Sequence, residues 1–245
     1  MAQIIFTSII NLVFTTPLIA LALKHQDAKW KCIILFAAFY VVYSCLIFFP
    51  SYMSAFRIIE GDWNWSGKIY GIVGSILFLI FFRKELGEHN FITLRQRSTS
   101  LKPILIVTII AFVVAVVLAV ISIQKSGERL EYFLFQFTMP ALDEELAYRG
   151  IILGLLSNAL RPKMYIRNFS LGNPALLITS ILFALGHSFQ IDPDWYVHQN
   201  WVEFISSFAT GLLLGWLTLK SGSILMAILI HDLINVIPLL IVWGR

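Results

Sequence analysis

Apolar residues in this chain fall into eight runs, approximately Ile4 to Leu23, Cys32 to Phe49, Ile69 to Phe82, Ile104 to Ile123, Pro140 to Leu160, Pro174 to Phe189, Trp201 to Leu219 and Ser223 to Trp243. Most approach the ~20 residues that an α-helix needs to cross a hydrocarbon layer about 30 Å thick, while the third and sixth are shorter. The pattern therefore predicts an all-α integral membrane protein, a bundle of about eight transmembrane helices. Between 127 and 139 lies an aromatic stretch from Tyr132 to Phe137, which suits either an interfacial helix or an early extension of the fifth span. Pro140, two residues after Thr138, predicts a fresh helix start at that point.

Charge between the runs adds an orientation. Loops 1–2, 3–4, 5–6 and 7–8 carry Lys24, Lys29, Lys31, Arg83, Lys84, Arg95, Arg97, Lys102, Arg161, Lys163, Arg167 and Lys220, twelve basic residues. The other side carries five, Arg57, Lys68, Lys125, Arg129 and Arg245, and the stretch from Asp192 to Asn200 has none. The positive-inside rule then puts both termini outside the cytoplasm, with Trp63, Trp65, Trp195 and Trp201 as interfacial aromatics at the outer boundaries. A composition of 58% hydrophobic and 13% charged residues, with mean hydropathy +0.82, excludes a soluble domain. The net charge of +4 is dispersed over short loops and leaves no nucleic-acid footprint. The loop from Arg83 to Lys102 reads as a basic surface toward anionic lipid. Cys32 and Cys45 are thirteen apart in one run and read as packing residues. The first run lacks signal-peptide features and is expected to be a retained span. No internal repeat divides the chain.

The informative breaks in the apolar pattern are ionisable. Asp143-Glu144-Glu145-Leu146-Ala147-Tyr148-Arg149 sets three acids and a guanidinium inside the fifth run. Each such residue costs about 2.5–3.5 kcal/mol or more at mid-bilayer unless paired or hydrated, which makes the cluster a functional-site candidate. On a helix Glu145 and Arg149 stack and pair, whereas Glu144 lies about 100° round, faces Tyr148 and is left free. Phe183 and His187 are four apart in the sixth run, as are His231 and Asn235 in the eighth. A structural ion-pair knot and packing histidines are the plain alternatives. Together the groups supply a base, a water-orienting imidazole and two hydrogen-bond donors, the parts needed for peptide hydrolysis.

These residues resemble the CPBP or Abi family of intramembrane proteases, which includes the CAAX prenyl endopeptidase. Glu144, Glu145 and Arg149 match its Glu-Glu-x-x-x-Arg motif, Phe183 and His187 its Phe-x-x-x-His, and His231 and Asn235 its His-x-x-x-Asn. The resemblance implies a catalytic core in the last four helices, with N-terminal spans over 1–129 and the core over 130–245 of one continuous membrane domain. It implies an endopeptidase in which Glu144 and His187 activate a water, Glu145 and Arg149 support the site, and His231 and Asn235 form an oxyanion hole. The family is described both as metalloproteases and as glutamate proteases. The absence of His-Glu-x-x-His and the divergence of Glu144 from Glu145 favour the metal-free form, with no cofactor. Expected partners are a peptide or membrane-protein substrate and the lipid bilayer, with no nucleic acid. The expected location is a prokaryotic plasma membrane, crossed many times. The alternatives are a non-catalytic bacteriocin-immunity or scaffold protein of the same fold and an ion-coupled transporter.

Other polar residues carry plain expectations. Asp143 is expected to be a first-turn acid at a helix N-terminus and Asp232 to bond a neighbouring helix or water. His25, His89 and His198 are expected in solvated loops. Gly211 with Gly215, and Gly71 with Gly74, are expected to form helix-packing faces.

Overall fold

Each of the eight apolar runs contributes helix in the computed structural model, which describes residues 1–24, 29–98, 101–121, 130–166 and 169–243. His25, Lys125, Arg129, Arg167 and Arg245 lie outside the described residues. The helices are α1 (Ala2–Leu23), α2 (Trp30–Tyr52), α3 (Trp65–Phe82), α4 (Leu101–Ile121), α5 (Leu130–Glu144), α6 (Leu153–Ala159), α7 (Pro174–Ser188), α8 (Trp201–Ser221) and α9 (Leu225–Trp243). Several starts follow from side-chain caps. Asn64 accepts from the Gly67 N–H, Asn173 from Leu176, and Asn200 from Val202 and Glu203, each satisfying first-turn donors. Gly222, at φ 74°, closes α8 in the left-handed conformation that glycine adopts without strain.

The fresh start expected at Pro140 is not found. Helix α5 begins at Leu130, so the aromatic stretch is an early extension of the fifth run, and Pro140 lies buried inside it. From Glu145 to Ile152 the backbone takes π-helical form before continuing as α6. All eight residues of that wider turn are buried, and such turns recur at functional sites.

Apolar side chains face outward and ionisable ones inward. Ile9, Val13 and Phe14 of α1 and Ile106, Ile109 and Ile110 of α4 are exposed, while Asp143, Glu145 and Arg149 are fully buried. That inversion is what a bilayer selects. Among the described residues four stretches, Ala2–Leu23, Trp30–Tyr52, Trp65–His89 and Trp201–Ser221, are long and apolar enough to cross a membrane. The main core joins α2, α6 and α7 through Phe36, Tyr40, Leu155, Ile178 and Leu182, and a smaller cluster joins α4, α8 and α9 through Ile104, Leu214 and Ile230.

The glycine pairs sit where helices approach closely. A Cβ at Gly211 would lie 3.0 Å from Ser180 Cα of α7, and Gly71 and Gly74 face Ile47 and Leu46 of α2. At one end of the bundle Lys29 bonds Asn158 at 2.8 Å, Lys31 bonds Glu85 at 2.5 Å, and the Arg97 N–H meets the Ser221 carbonyl at 2.9 Å. At the other end Gln3 donates to the Pro193 carbonyl at 3.2 Å and Glu131 accepts from Trp65 at 3.1 Å. Two short antiparallel hairpins complete the chain. β1 (Met164–Ile166) pairs with β2 (Phe169–Gly172), and β3 (Phe189–Ile191) with β4 (Val197–Gln199).

Candidate active site

The three acids at the junction of α5 and the π-turn have three different sets of partners. Asp143 accepts from the Tyr43 hydroxyl at 2.8 Å and from the Lys68 ammonium at 3.0 Å, both at Oδ2. The same ammonium reaches Glu144 Oε1 at 2.7 Å. Glu145 Oε1 accepts from the Arg149 guanidinium at 2.9 Å, the pair expected from their spacing, and from His231 Nδ1 at 2.8 Å.

Two expectations are corrected here. Glu144 is not left free, because Lys68 holds one of its oxygens. Asp143 is not a first-turn acid, because α5 starts thirteen residues earlier and carries it into the bundle, where it is wholly buried. Lys68 itself leaves the outer-loop tally, since α3 begins at Trp65 and the lysine side chain is 12% exposed. Gly71, one turn further along α3, explains the close approach: a Cβ there would strike the Asp143 carboxyl and Ile47. The signal for Lys68 was a single cation abutting an apolar run, and beginning that run at Ile69 concealed it.

Glu144 presents its other oxygen to two imidazoles. Oε2 lies 3.6 Å from His187 Nε2 and 3.9 Å from His231 Nε2, and is buried without a hydrogen-bond partner among the described residues. His187 Nδ1 is 2.8 Å from the Phe183 carbonyl. A carbonyl only accepts, so Nδ1 carries a proton and, in the neutral ring, Nε2 is left as an acceptor facing Glu144. By the same reasoning the proton on His231 Nδ1 is committed to Glu145.

Phe183, the aromatic of the Phe-x-x-x-His motif, is the hub of the cluster. Its ring lies 4.2 Å beneath the Arg149 guanidinium carbon, 4.4 Å from the His187 ring and 5.2 Å edge-to-face from Tyr148. The cation–π contact covers a guanidinium that has no solvent. Asn235 lies one turn beyond His231 on α9 and is half-buried, and neither residue is among those lining the adjoining cavity. Asp232 beside it is also half-buried.

That cavity measures about 580 Å³ and is lined by Lys68, Glu144, Tyr148 and His187 on one side. Ser8, Asn11, Tyr40 and Ser44 of α1 and α2 face them, and Ile191, Asp192 and His198 of the β3–β4 hairpin complete the lining. The helices before Leu130 thus contribute much of the wall, although the motifs lie in the last four runs. Outside the helices, Asp192 accepts from His198 at 2.9 Å and from the N–H groups of Asp194 and Tyr196, and the His198 bond chiefly holds its carboxyl below the ordinary carboxylate range. His198, expected to be solvated, is exposed but tied to this pair; His89 packs near Phe91.

Among the described residues no group of three or more His, Cys, Asp or Glu is arranged to hold a metal ion. No curated protein and no solved structure matches the chain. The stretch that carries all three motifs does match a family model: residues 128–237 are similar to the type II CAAX prenyl endopeptidase Rce1-like family, in line with the resemblance of the motifs.

Proposed function

We propose that this chain is an integral-membrane endopeptidase that attacks a peptide carbonyl with a water activated by Glu144 and His187. The observation that carries the reading is the pair of facing acceptors, Glu144 Oε2 and His187 Nε2, 3.6 Å apart at the wall of a cavity. They are too far apart to bond directly. A water seated off the line between them donates one hydrogen to each and turns a lone pair toward the cavity. On attack its proton passes to this acid–imidazole pair and then to the leaving amine, giving a new carboxylate and a new amine.

Lys68 and the Glu145–Arg149 pair support this chemistry electrostatically. Lys68 ties down Glu144 Oε1, which aims Oε2 at the imidazoles. Asp143, Glu144 and Glu145 against Lys68 and Arg149 leave one excess negative charge at the cavity wall, and His231 donates to this cluster from Nδ1 to Glu145 Oε1. With Nδ1 committed to Glu145, His231 serves the oxyanion only when Nε2 also carries a hydrogen. Asn235 is the second proposed donor. One such donor is worth about 2.7–4 kcal/mol in the transition state.

The residues do not suit a metal. A divalent cation on Glu144 would sit beside an ammonium already 2.7 Å from the same carboxylate. The donor set also lacks a metal-holding arrangement among the described residues. Hydrolysis of a membrane peptide by the purified protein is therefore expected to survive prolonged o-phenanthroline treatment and removal of the chelator. Stoichiometric zinc, with activity returning only when metal is added back, would overturn this reading.

All eight runs are taken to cross the bilayer. The contacts of loops 1–2, 3–4 and 5–6 at one end support it, with loop 7–8 reached through Arg97 and Ser221. The cavity opens at the opposite end, which loop charge assigns to the extracytoplasmic face.

A further inference from the structure

Helix α1 turns a polar stripe inward. Ile4, Thr7, Ser8 and Asn11, spaced as one helical face, line the cavity opposite Glu144, although α1 is otherwise apolar. Ser8 and Asn11 are each 2% exposed. The Ser8 hydroxyl hydrogen, that of Ser44 on α2 and one of the two Asn11 amide hydrogens are directed into the protein. The Ser8 hydroxyl donates to the Ile4 carbonyl at 2.8 Å, the Ser44 hydroxyl to the Tyr40 carbonyl at 2.9 Å, and the Asn11 amide to the Tyr40 hydroxyl at 3.0 Å. Asn11 Oδ1 is a buried acceptor without a partner among the described residues. A buried acceptor left unmatched is costly, and so is an unmatched backbone N–H at membrane depth.

The geometry points to this α1–α2 wall as the subsite that binds backbone N–H groups along one edge of an extended peptide, with Asn11 Oδ1 as its central acceptor. This assignment rests on the peptidase reading and names how that site holds its substrate. A chain drawn into the cavity unwinds and exposes backbone N–H groups; that of one residue finds acceptors on α1 and α2, while the carbonyl of the next residue turns to the opposite side, toward Glu144 and His187. An ammonium group is the other donor that such a wall would accept.

The test uses retention rather than turnover. A randomised pool of N-acetylated, C-amidated nonapeptides without lysine is incubated with Glu144→Gln protein in nanodiscs, and bound peptides are read by mass spectrometry. Adding Asn11→Leu is expected to cut retention about tenfold, the effect of losing one hydrogen bond of about 1.4 kcal/mol. Asn11→Asp, which keeps the acceptor, is expected to restore it. The same pool with backbone N-methyl groups is expected to bind about tenfold more weakly to the Asn11 protein and to lose nothing more with Asn11→Leu.

Melting curves identify a variant that fails to fold, and Ser44→Ala then supplies the second perturbation, with a smaller expected loss. Equal retention by Asn11 and Asn11→Leu proteins overturns the assignment, as does no retention above empty nanodiscs. So does an Asn11 effect seen only with a pool bearing free amines, which would make the site an ammonium site. Incubating the retained peptides with wild-type protein tests the peptidase separately. Peptides held through Asn11 yet never cut sink that reading and leave the subsite standing, whereas cut peptides indifferent to Asn11 do the reverse.

Discussion

Replacing Lys68 with methionine keeps the side chain's bulk and removes the charge that two buried acids share. The ammonium lies 2.7 Å from Glu144 and 3.0 Å from Asp143, at 12% exposure. At an effective dielectric of about 20, each contact is worth roughly 6 kcal/mol of Coulomb attraction, most of it offset by desolvation and by repulsion between the acids. Removing one partner from such a buried cluster costs about 3–5 kcal/mol, because the other charges are left uncompensated. For a chain of this size that lowers Tm by roughly 6–20 °C. The assay is thermal unfolding in detergent of wild type, Lys68→Met, Lys68→Arg and the double variant Lys68→Met/Asp143→Asn. Lys68→Arg is expected to retain most of the stability, since it keeps the charge. The double variant is expected to recover about half of the loss, because it removes one of the stranded acids while Tyr43 can still bond the amide. Turnover by Lys68→Met is expected to fall as well, as Glu144 loses the contact that orients it. A Lys68→Met protein that melts with wild type, or a double variant that melts lower than the single one, would refute the reasoning.

Two further outcomes follow from the loops. The Asp192 carboxyl, held low by His198, stabilises the β3–β4 hairpin fully above the ordinary carboxylate range, and that contribution is lost as pH falls through the folded pKa. Trp195 fluorescence is therefore expected to change on acidification below about pH 4, and to lose that transition in Asp192→Asn. In a background lacking Cys32 and Cys45, an impermeant thiol reagent on intact cells is expected to label Asp194→Cys and spare Glu88→Cys; the opposite pattern would invert the orientation.

The helical bundle was legible in the sequence because lipid imposes a pattern that local apolar runs report directly, and the spacing of Glu145 and Arg149 was enough to pair them. The run boundaries were not. Pro140 looked like a helix start because proline suits a first turn, yet the aromatic residues from Tyr132 to Phe137 packed well enough to extend the helix back through it. The partner of Glu144 was hidden for a different reason. Lys68 lies 76 residues away in sequence, and the contact depends on Gly71 allowing α3 to approach α5. No local period records such a meeting. Phe183 was legible as a motif residue but its packing role was not, since its contacts to Arg149, His187 and Tyr148 converge from separate segments. The hairpin at the cavity mouth was read only as a loop without basic charge, because three-residue strands fall below what alternation can reveal.

Joint activation of the water by Glu144 and His187 is measured directly by single-turnover hydrolysis with purified Glu144→Gln, His187→Ala and the double variant, with melting curves alongside. Each single variant is expected to lose at least about 1,000-fold in rate while remaining folded, and the double variant to lose little more than either, because groups acting as a unit are non-additive. Hydrolysis by well-folded Glu144→Gln protein at the wild-type rate would contradict the claim.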